Sequence, residues 1–452
     1  MQTLFTLAQL ADPQVAESER ILRTCVHCGF CTATCPTYLL GGDELDSPRG
    51  RIYLIKDMLE YDRPASPEVV KHIDRCLSCL ACMTTCPSGV HYMHLVDHAR
   101  ARIEATYTRP WLDRWLRATL ARVLPDNVLL RRALRLARLA KPLAGLFTAL
   151  RLEPLAALLR LAPARLPSGS TRASAAPGRR VIAAQGARKG RVALLSGCVG
   201  PVIKPSIEAA AIAILSRHGI EVVLAGRQGC CGSLVHHLGR EHDALAAARV
   251  NIDAWTEEIA AAGLDGVLVT ASGCGTTVKD YGFMLRGDSA YAAKAARVAA
   301  LAQDISEYLA GLELSPTGDC AGRIEGLTIA YHSACSLQHG QKIARQPKEL
   351  LCKMGFVVKD VPEGHLCCGS AGTYNILQPE TARRLRDRKV GNIEKLAPDV
   401  IAAGNIGCIT QIAAGTAVPV VHTVELIDWA TGGRKPEALV KLAGESRRVE
   451  VR

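Results

Sequence analysis

Strand-like and helix-like patterns alternate through residues 190–430 of the 452-residue chain. Short apolar runs such as RVALLSG, GVLVTASG, LTIAYHSA and VIAAGNIG are typical of buried strands, and longer amphipathic stretches separate them. The pattern predicts a helix over residues 205–217, a strand over 220–224 and a second helix over 241–262. Strands that alternate with helices predict a parallel sheet covered on both faces.

The part of the chain before this region follows other patterns. Over residues 109–166, Leu, Ala and Arg dominate, and large apolar side chains recur at three- and four-residue steps, which predicts amphipathic helices. These apolar positions include Trp111, Trp115, Leu116, Leu120 and Leu124. Residues 167–189 are small, polar and rich in Pro and Gly, which predicts a linker, so residues 109–189 form one helical segment plus linker.

The alternating region contains an internal duplication. Cys198 and Cys335 each follow a strand-like run, and two Cys-Cys-Gly triplets begin at Cys230 and Cys367. These pairs are separated by the same 137 residues, and a last pair, Cys274 and Cys408, is separated by 134. The spacing predicts two copies of one unit, over residues 190–312 and 322–430.

Four of the repeated cysteines come just after predicted strands. Right-handed crossovers place the carboxyl ends of parallel strands at one edge of the sheet, where functional groups of open α/β sheets gather. We therefore expect each unit to bring its cysteines together at that edge. The two sets are Cys198, Cys230, Cys231 and Cys274, and Cys335, Cys367, Cys368 and Cys408.

Composition limits the class of protein. The length allows two or three domains, and a hydrophobic content of 48% is typical of a globular protein. Arg or Lys interrupts every apolar run before it reaches the ~20 residues of a spanning helix. The first residues, MQTLFTLAQLADP, lack the basic start and apolar run of a secretory leader. With cysteines at metal-ligand spacing, this predicts a protein of the reducing cytoplasm.

The net charge of +12 comes mainly from one segment. Residues 109–166 hold twelve Arg and Lys against three acidic residues. A basic amphipathic helix with Trp is typical of peripheral contact with an anionic membrane surface, here the cytoplasmic face of the inner membrane. The alternative is a helix docked on another part of the protein or on a partner, with a solvated basic face. Nothing else in the chain fits nucleic acid.

Eight further cysteines form two identical motifs near the N-terminus. Both read C-x-x-C-x-x-C-x-x-x-C-P, the spacing that binds [4Fe–4S] clusters in two-cluster ferredoxins. The first quartet is Cys25, Cys28, Cys31 and Cys35, and the second is Cys76, Cys79, Cys82 and Cys86. Structural zinc is the alternative, but zinc sites use paired knuckles rather than three evenly spaced cysteines and a distant fourth. We predict two [4Fe–4S] clusters.

The ferredoxin pattern also predicts which cysteines share a cluster. In two-cluster ferredoxins the fourth cysteine of each motif binds the other cluster. Cys86 would then complete the first site, and Cys35 the second. Gly29 fits a turn that needs unusual backbone angles. The helical pattern of residues 49–60, between the quartets, favours an α-helical two-cluster ferredoxin domain over residues 1–108.

The repeated cysteines leave two functions open. The Cys-Cys-Gly pattern resembles the cysteine-rich domain of heterodisulfide reductases and of iron–sulfur subunits of flavin-linked 2-hydroxy-acid dehydrogenases. In heterodisulfide reductases the unit ends in C-x-x-C and binds an unusual cluster, whereas Thr277 and Gln411 stand at the closing positions here. The eight repeated cysteines therefore form either an extra redox centre or a structural remnant.

Longer stretches of sequence narrow the resemblance to one family. The runs ILRTCVHCGFCTATCPTY, GDELDSPRGRIYLIKDMLE, DRCLSCLACMTTCPSGV and PVVHTVELIDWATGG resemble the iron–sulfur subunits of bacterial glycolate oxidases over nearly the whole chain. The cysteine spacings alone are shared with the subunits for D-lactate and glycerol 3-phosphate oxidation. The resemblance implies an α-helical ferredoxin domain followed by a duplicated α/β cysteine-rich domain.

The resemblance also implies a role in an oxidoreductase complex. A separate FAD-containing flavoprotein would oxidise glycolate to glyoxylate, and this chain would pass the electrons singly toward quinone or another respiratory acceptor. Consistent with that role, the sequence shows neither a Gly-rich dinucleotide fingerprint nor a P-loop, so we expect no substrate site and no catalytic residue on this chain. The competing interpretations are a lactate or glycerol 3-phosphate subunit and a catalytic disulfide reductase.

Overall fold

Helices make up the N-terminal part of the protein. The computed structural model describes residues 1–163, 166–167 and 178–440. No strand occurs among the described residues before Arg180, in agreement with the expected all-helical ferredoxin domain. The helices before residue 108 are α1 (Leu7–Leu10), α2 (Pro13–Thr24), α3 (Pro36–Gly41), α4 (Pro48–Glu60), α5 (Pro67–Asp74), α6 (Ala81–Thr85) and α7 (Tyr92–Thr106), with 3₁₀ turns Phe30–Thr34 and Glu44–Asp46.

Local sequence explains where these helices begin. Helices α2, α4 and α5 each have proline at the first position, where the missing N–H costs nothing. A side-chain oxygen precedes each proline and accepts a backbone N–H, as when Ser47 Oγ accepts from Gly50 at 3.0 Å. The apolar faces of α2, α4, α5 and α7 then pack into one core around Ile55, Ile73 and Leu95.

The basic segment is helical, as its pattern predicts. It contains α8 (Trp111–Val123), α9 (Asn127–Ala140), α10 (Ala144–Ala149) and α11 (Glu153–Leu161), with a 3₁₀ turn Lys141–Leu143. Leu116 and Leu120 of α8 are buried against Ile376 of the second cysteine-rich unit. Residues 168–177 of the predicted linker, together with Arg165, lie outside the described residues.

The first repeat forms a five-stranded sheet. Its strands are β1 (Arg180–Ile182), β2 (Gly190–Leu195), β3 (Ile220–Leu224), β4 (Gly266–Val269) and β5 (Ala302–Asp304), in the order β1-β3-β2-β4-β5. All pairs are parallel except β1 with β3, where Val181 faces Val223 in antiparallel register. The edge strand β1 lies inside the predicted linker, so the chain becomes regular earlier than its composition indicated.

The second repeat forms a four-stranded parallel sheet with the same strand order. Its strands are β6 (Thr328–His332), β7 (Val357–Asp360), β8 (Val400–Ala403) and β9 (Val420–His422), ordered β7-β6-β8-β9. Strands β6, β7, β8 and β9 correspond to β2, β3, β4 and β5. The duplication predicted from the cysteine offsets is therefore a duplication of the fold.

Helices cover both sheets. Those of the first unit are α12 (Gly200–Ile203), α13 (Ser206–Arg217), α14 (Ser233–His237), α15 (Glu241–Ala262), α16 (Ser272–Met284), α17 (Ala292–Leu301) and α18 (Ile305–Ala310). Those of the second are α19 (Gly318–Ile324), α20 (Gln346–Lys353), α21 (Tyr374–Leu377), α22 (Pro379–Glu394), α23 (Ile406–Ala413) and α24 (Thr423–Ala430), with a π-helical turn Ser336–Gly340. The predicted elements at 205–217, 220–224 and 241–262 correspond to α13, β3 and α15. One apolar core runs through both units, so they pack as a single body.

The ferredoxin domain rests on the cysteine-bearing edges of both units. His94 Nε2 lies 2.9 Å from Asp280 Oδ1 of the first unit, and Tyr374 Oη of the second donates to the Arg75 carbonyl at 3.1 Å. Thr84 Oγ1 and His339 Nδ1 are 2.7 Å apart. Within this interface, Cys79 of the second quartet lies in one apolar cluster with Cys367 and Cys335 of the second unit.

Candidate metal centres

The first cavity lies near the surface of the ferredoxin domain. Among its lining residues are three cysteines of the first quartet, Cys25, Cys28 and Cys31, and the last cysteine of the second, Cys86. An exchange of the fourth cysteine, which remains a prediction, would use these four thiols. The Cys28 side chain is exposed, and the neighbouring Val26 and Phe30 are more than half exposed. One side of the cavity therefore opens to solvent through an apolar rim.

The second cavity is enclosed by buried residues, which are ten of the twelve that line it. It is lined by the remaining cysteines, Cys76, Cys79, Cys82 and Cys35. Cys82 also borders the first cavity, so the two cavities are neighbours. Cys79 is buried against the second cysteine-rich unit, in an apolar cluster that contains Cys367 and, at its margin, Cys335.

The backbone of the two quartet loops repeats the same shape. Left-handed φ angles occur at His27 (57°) and Gly29 (84°) in the first loop, and at Ser78 (48°) and Leu80 (62°) in the second. The φ of 84° at Gly29, which other residues rarely adopt, explains glycine there, as the sequence predicts. Leu80 adopts the same left-handed conformation although it has a side chain. That side chain lies in the interface with the second unit, near Gly340.

Burial makes these thiols resist ionisation. It raises the pKa of Cys31 to about 11, with a further contribution from the charge of Cys25. Burial also raises the pKa of Cys79 and of Cys82 well above the ordinary value. Thiols of this kind release their protons only to a strongly bound cation. Two sets of four convergent thiols fit a metal–thiolate assembly in each cavity.

A buried arginine lies beside the second set. Arg51 is 1% exposed, and its Nη1 lies 3.8 Å from Cys35 Sγ. The guanidinium donates to the His72 carbonyl at 2.7 Å and pairs with Asp46 at 3.3 Å. Burial opposes its charge, yet the charges of Cys76, Tyr92 and other neighbours raise the pKa of Arg51 above the ordinary value. Sequence reasoning missed this residue, because only the fold brings it to the cysteines.

The four cysteines of the first unit form one chain of contacts. Cys198 hydrogen-bonds with Cys230, Cys230 with Cys231, and Cys231 with Cys274. Hydrogen bonds from Cys198 and Cys231 lower the pKa of Cys230, which is the member best able to carry negative charge. The expectation that the strand-end cysteines gather at one edge is confirmed here.

The second unit has the same series of contacts between its cysteines, with a histidine added. Cys335 Sγ lies 3.8 Å from Cys367 Sγ, Cys367 hydrogen-bonds with Cys368, and Cys368 with Cys408. At the end of β6, buried His332 places a ring nitrogen within 4.8 Å of the Sγ atoms of Cys368 and Cys408. The sequence analysis did not single out His332, although its position three residues before Cys335 was a signal.

Thr277 and Gln411, at the positions that would close a C-x-x-C motif in each unit, make hydrogen bonds within the fold. Thr277 Oγ1 donates to the Gly273 carbonyl at 3.3 Å. Gln411 donates to the Ala382 carbonyl at 3.2 Å and accepts from Asn375 at 3.1 Å. Neither side chain is available as a thiolate substitute, so any centre in these units must use other ligands.

Comparisons with known families agree with these sites. Residues 21–90 match the family described as "4Fe-4S dicluster domain", and residues 192–279 and 329–413 each match that described as "Cysteine-rich domain". Together with the paired cavities, these matches define an iron–sulfur electron-transfer component of an oxidoreductase.

Full-length relatives give the family. The chain is 42% identical to "Glycolate oxidase iron-sulfur subunit" of Escherichia coli (strain K12), over 95% of this chain and 99% of that protein. It is 31% identical to "Probable glycolate oxidase iron-sulfur subunit" of Bacillus subtilis (strain 168), over 91% and 94% of the two chains. The chain belongs to the family of glycolate oxidase iron–sulfur subunits.

More distant similarities concern half of the chain or the fold alone. "Lactate utilization protein A" of Geobacillus kaustophilus (strain HTA426) is 24% identical over 53% of this chain and 98% of its own length. The crystal structure of a hypothetical protein from Helicobacter pylori superposes with a TM-score of 0.53 at 11% identity, covering 95% of this chain and 74% of that one. Within the described residues, no helix is both long and apolar enough to cross a membrane.

Proposed function

We propose that this chain is the electron-transfer subunit of a complex that oxidises glycolate to glyoxylate. The observation that carries the proposal is the pair of neighbouring cavities that share Cys82, of which the first brings Cys86 to the first quartet and the second brings Cys35 to the second quartet. Cys25, Cys28, Cys31 and Cys86 would hold one [4Fe–4S] cluster, and Cys76, Cys79, Cys82 and Cys35 a second. Such clusters supply one-electron redox chemistry, which a flavin that has taken two electrons requires of its partner.

The surroundings of the two sites favour a direction of transfer. The apolar rim of Val26 and Phe30 around exposed Cys28 gives a flavoprotein subunit with bound FAD a surface on which to dock. Cys79 of the enclosed site contacts the second cysteine-rich unit, so the route continues inward from there. Quinone or another respiratory acceptor would receive the electrons beyond this point.

The basic segment offers a contact with the membrane surface. Part of its charge is used internally, because Arg109 and Arg117 pair with Asp74 at 2.6 and 2.8 Å. On α9, however, Leu139 is 80% exposed, and Arg135 and Arg138 beside it are exposed as well. This combination supports peripheral attachment to the anionic cytoplasmic face of the inner membrane.

Co-sedimentation with vesicles tests this attachment. Binding to vesicles that contain anionic lipid should fall with salt and weaken several-fold in Leu139→Glu. Val250→Glu, which changes another exposed apolar residue on the first cysteine-rich unit, serves as the control and should bind like the wild type. Binding that ignores both lipid charge and salt would contradict the attachment.

Reconstitution tests the proposed function. The anaerobic chain is mixed with its flavoprotein partner and glycolate, and reduction of the clusters is followed by the loss of visible absorbance. Glycolate should bleach the chain only when the flavoprotein is present. Bleaching by D-lactate or glycerol 3-phosphate, and not by glycolate, would assign the chain to a related complex. Bleaching of the chain alone by glycolate would contradict a pure electron-transfer role.

A further inference from the structure

His332 in the second cysteine-rich unit is buried without a partner for its ring. It is the last residue of β6 and is 1% exposed. Neither Nδ1 nor Nε2 has a hydrogen-bond partner in the part of the chain that the structure describes. A buried polar group without a partner is rare in native proteins and calls for a ligand or ion that satisfies it. A neutral imidazole has a lone pair that it can donate to a metal ion.

Two thiols lie where a shared ion would bind. The ligand atoms of His332, Cys368 and Cys408 all lie within 4.8 Å of one another. Two ligands of one tetrahedral ion, each at about 2.0–2.3 Å from it, are separated by about 3.3–3.8 Å. The three atoms would reach that spacing by moving closer together by about 1 Å, a shift that side-chain rotation can supply. Cys367, in hydrogen-bond contact with Cys368, lies next in the chain of thiols.

The first unit lacks the histidine. Counting back three residues from the first cysteine of each unit gives His332 in the second and Leu195 in the first. Both residues end the strand that precedes the cysteine, and both are buried. The duplication thus supplies an internal comparison, in which one copy has an apolar side chain where the other has a metal ligand.

A second difference adds positive charge to the same unit. The glycine after each cysteine pair packs against an alanine, Gly232 against Ala244 and Gly369 against Ala382. Seven residues after these alanines, the first unit has Asn251 and the second has Lys389.

Lys389 is buried close to the thiols. Its Nζ donates to the Glu363 carbonyl at 2.7 Å. Burial lowers the pKa of Lys389, and negative charge on Cys368 and Cys367 opposes that shift. An ammonium group is buried favourably only beside compensating negative charge. Lys389 therefore brings a positive charge close to the thiols of the second unit, where the first unit has the neutral Asn251.

We propose that the second cysteine-rich unit, unlike the first, binds a single thiophilic divalent ion, Zn²⁺ or Fe²⁺, through His332, Cys368 and Cys408. Imidazole and thiolate together are the ligands that both ions accept. This ion would hold Cys368, whose neighbour Cys367 lies in the same apolar cluster as Cys79 of the ferredoxin domain. The site does not depend on which substrate the complex oxidises.

Metal analysis of the full chain tests the proposal. The protein is purified anaerobically, and iron, zinc and acid-labile sulfide are counted per chain. We expect about eight irons with about eight sulfides for two clusters, plus about one further zinc or iron without sulfide. No metal beyond the sulfide-matched iron would overturn the proposal. About four additional irons with sulfide would also overturn it, because they indicate a further cluster.

Matched variants identify the ligands. His332→Leu installs the residue of the first unit, and Cys408→Ser removes a thiol, so both should lose the additional ion while the EPR signals of the ferredoxin clusters remain. Cys274→Ser, the counterpart of Cys408→Ser in the first unit, should keep the ion. His332→Cys replaces one ligand by another and should keep it as well. Equal metal content in the wild type and His332→Leu, or loss from Cys274→Ser alone, would refute the assignment.

Discussion

Replacing Arg51 should lower the reduction potential of the enclosed cluster without changing that of the exposed one. The guanidinium is buried beside Cys35, on the side of the second cavity. A fixed positive charge favours the reduced cluster, which carries one more electron. Arg51→Met removes the charge, whereas Arg51→Lys keeps it and serves as the control. Asp46 retains Arg75 at 2.9 Å and His72 at 2.8 Å in both variants, so the pocket is not left with an unpaired carboxylate.

The distance between Arg51 and the cluster sets the size of the expected shift in reduction potential. Arg51 Nη1 lies 3.8 Å from Cys35 Sγ, and the cluster centre is roughly 6 Å from the charge once a metal–sulfur bond of about 2.3 Å is added. At an effective dielectric constant of about 20, one unit charge at that distance is worth about 2.8 kcal/mol, or about 120 mV for one electron. Asp46 offsets part of the effect. We expect a decrease of about 50–120 mV.

An EPR-monitored redox titration measures this shift. Both reduced clusters contribute signals, and only the more buried one should move in Arg51→Met, while Arg51→Lys should remain within about 30 mV of the wild type. An equal shift of both clusters would mean that the variant disturbs the domain as a whole. An unchanged potential, or a shift confined to the exposed cluster, would refute the placement of Arg51 beside the second site.

Two further predictions concern stability. Gly29→Ala should cost about 1–2 kcal/mol in chemical denaturation, because φ is 84°. Gly41→Ala, with open space around the new Cβ and an ordinary φ, should be neutral. Equal costs would contradict this. Burial raises the pKa of Asp304 to about 6, above about 3.9 in the unfolded chain. The contribution of Asp304 to stability is complete below the unfolded pKa and is lost as pH rises through the folded pKa. Between pH 5 and 8 the wild type should therefore lose about 1.4 kcal/mol of unfolding free energy relative to Asp304→Asn. Parallel pH profiles of the two proteins would contradict this prediction.

Local sequence patterns and repeated cysteine spacings predicted most of the fold. The apolar periods predicted α13, β3 and α15, and Gly29 in the first quartet predicted a left-handed turn that the structure contains. The cysteine offsets predicted the duplication, because insertions between the two copies are few. The edge strand β1 escaped prediction, since three residues with one half-buried face give too short a pattern.

Residues that act through distant contacts could not be read from the sequence. Arg51 and Asp46 look like the charged face of a surface helix and turn, yet the fold buries them beside Cys35. His332 looks like the polar end of a strand until Cys368 and Cys408 are brought next to it. Lys389 lies on a helix with many charged residues, and only packing shows that it is the buried one. Long-range packing, not local pattern, gives these residues their roles.

The central claim is that each cluster is held by three cysteines of one quartet and the fourth of the other. Cys35→Ser tests it most directly, because Cys35 belongs to the first quartet in sequence and lines the second cavity in the structure. EPR of the reduced variant should show loss or conversion of the enclosed cluster, the one whose potential responds to Arg51, while the exposed cluster keeps its signal. Loss of the exposed cluster, with the enclosed one intact, would contradict the account.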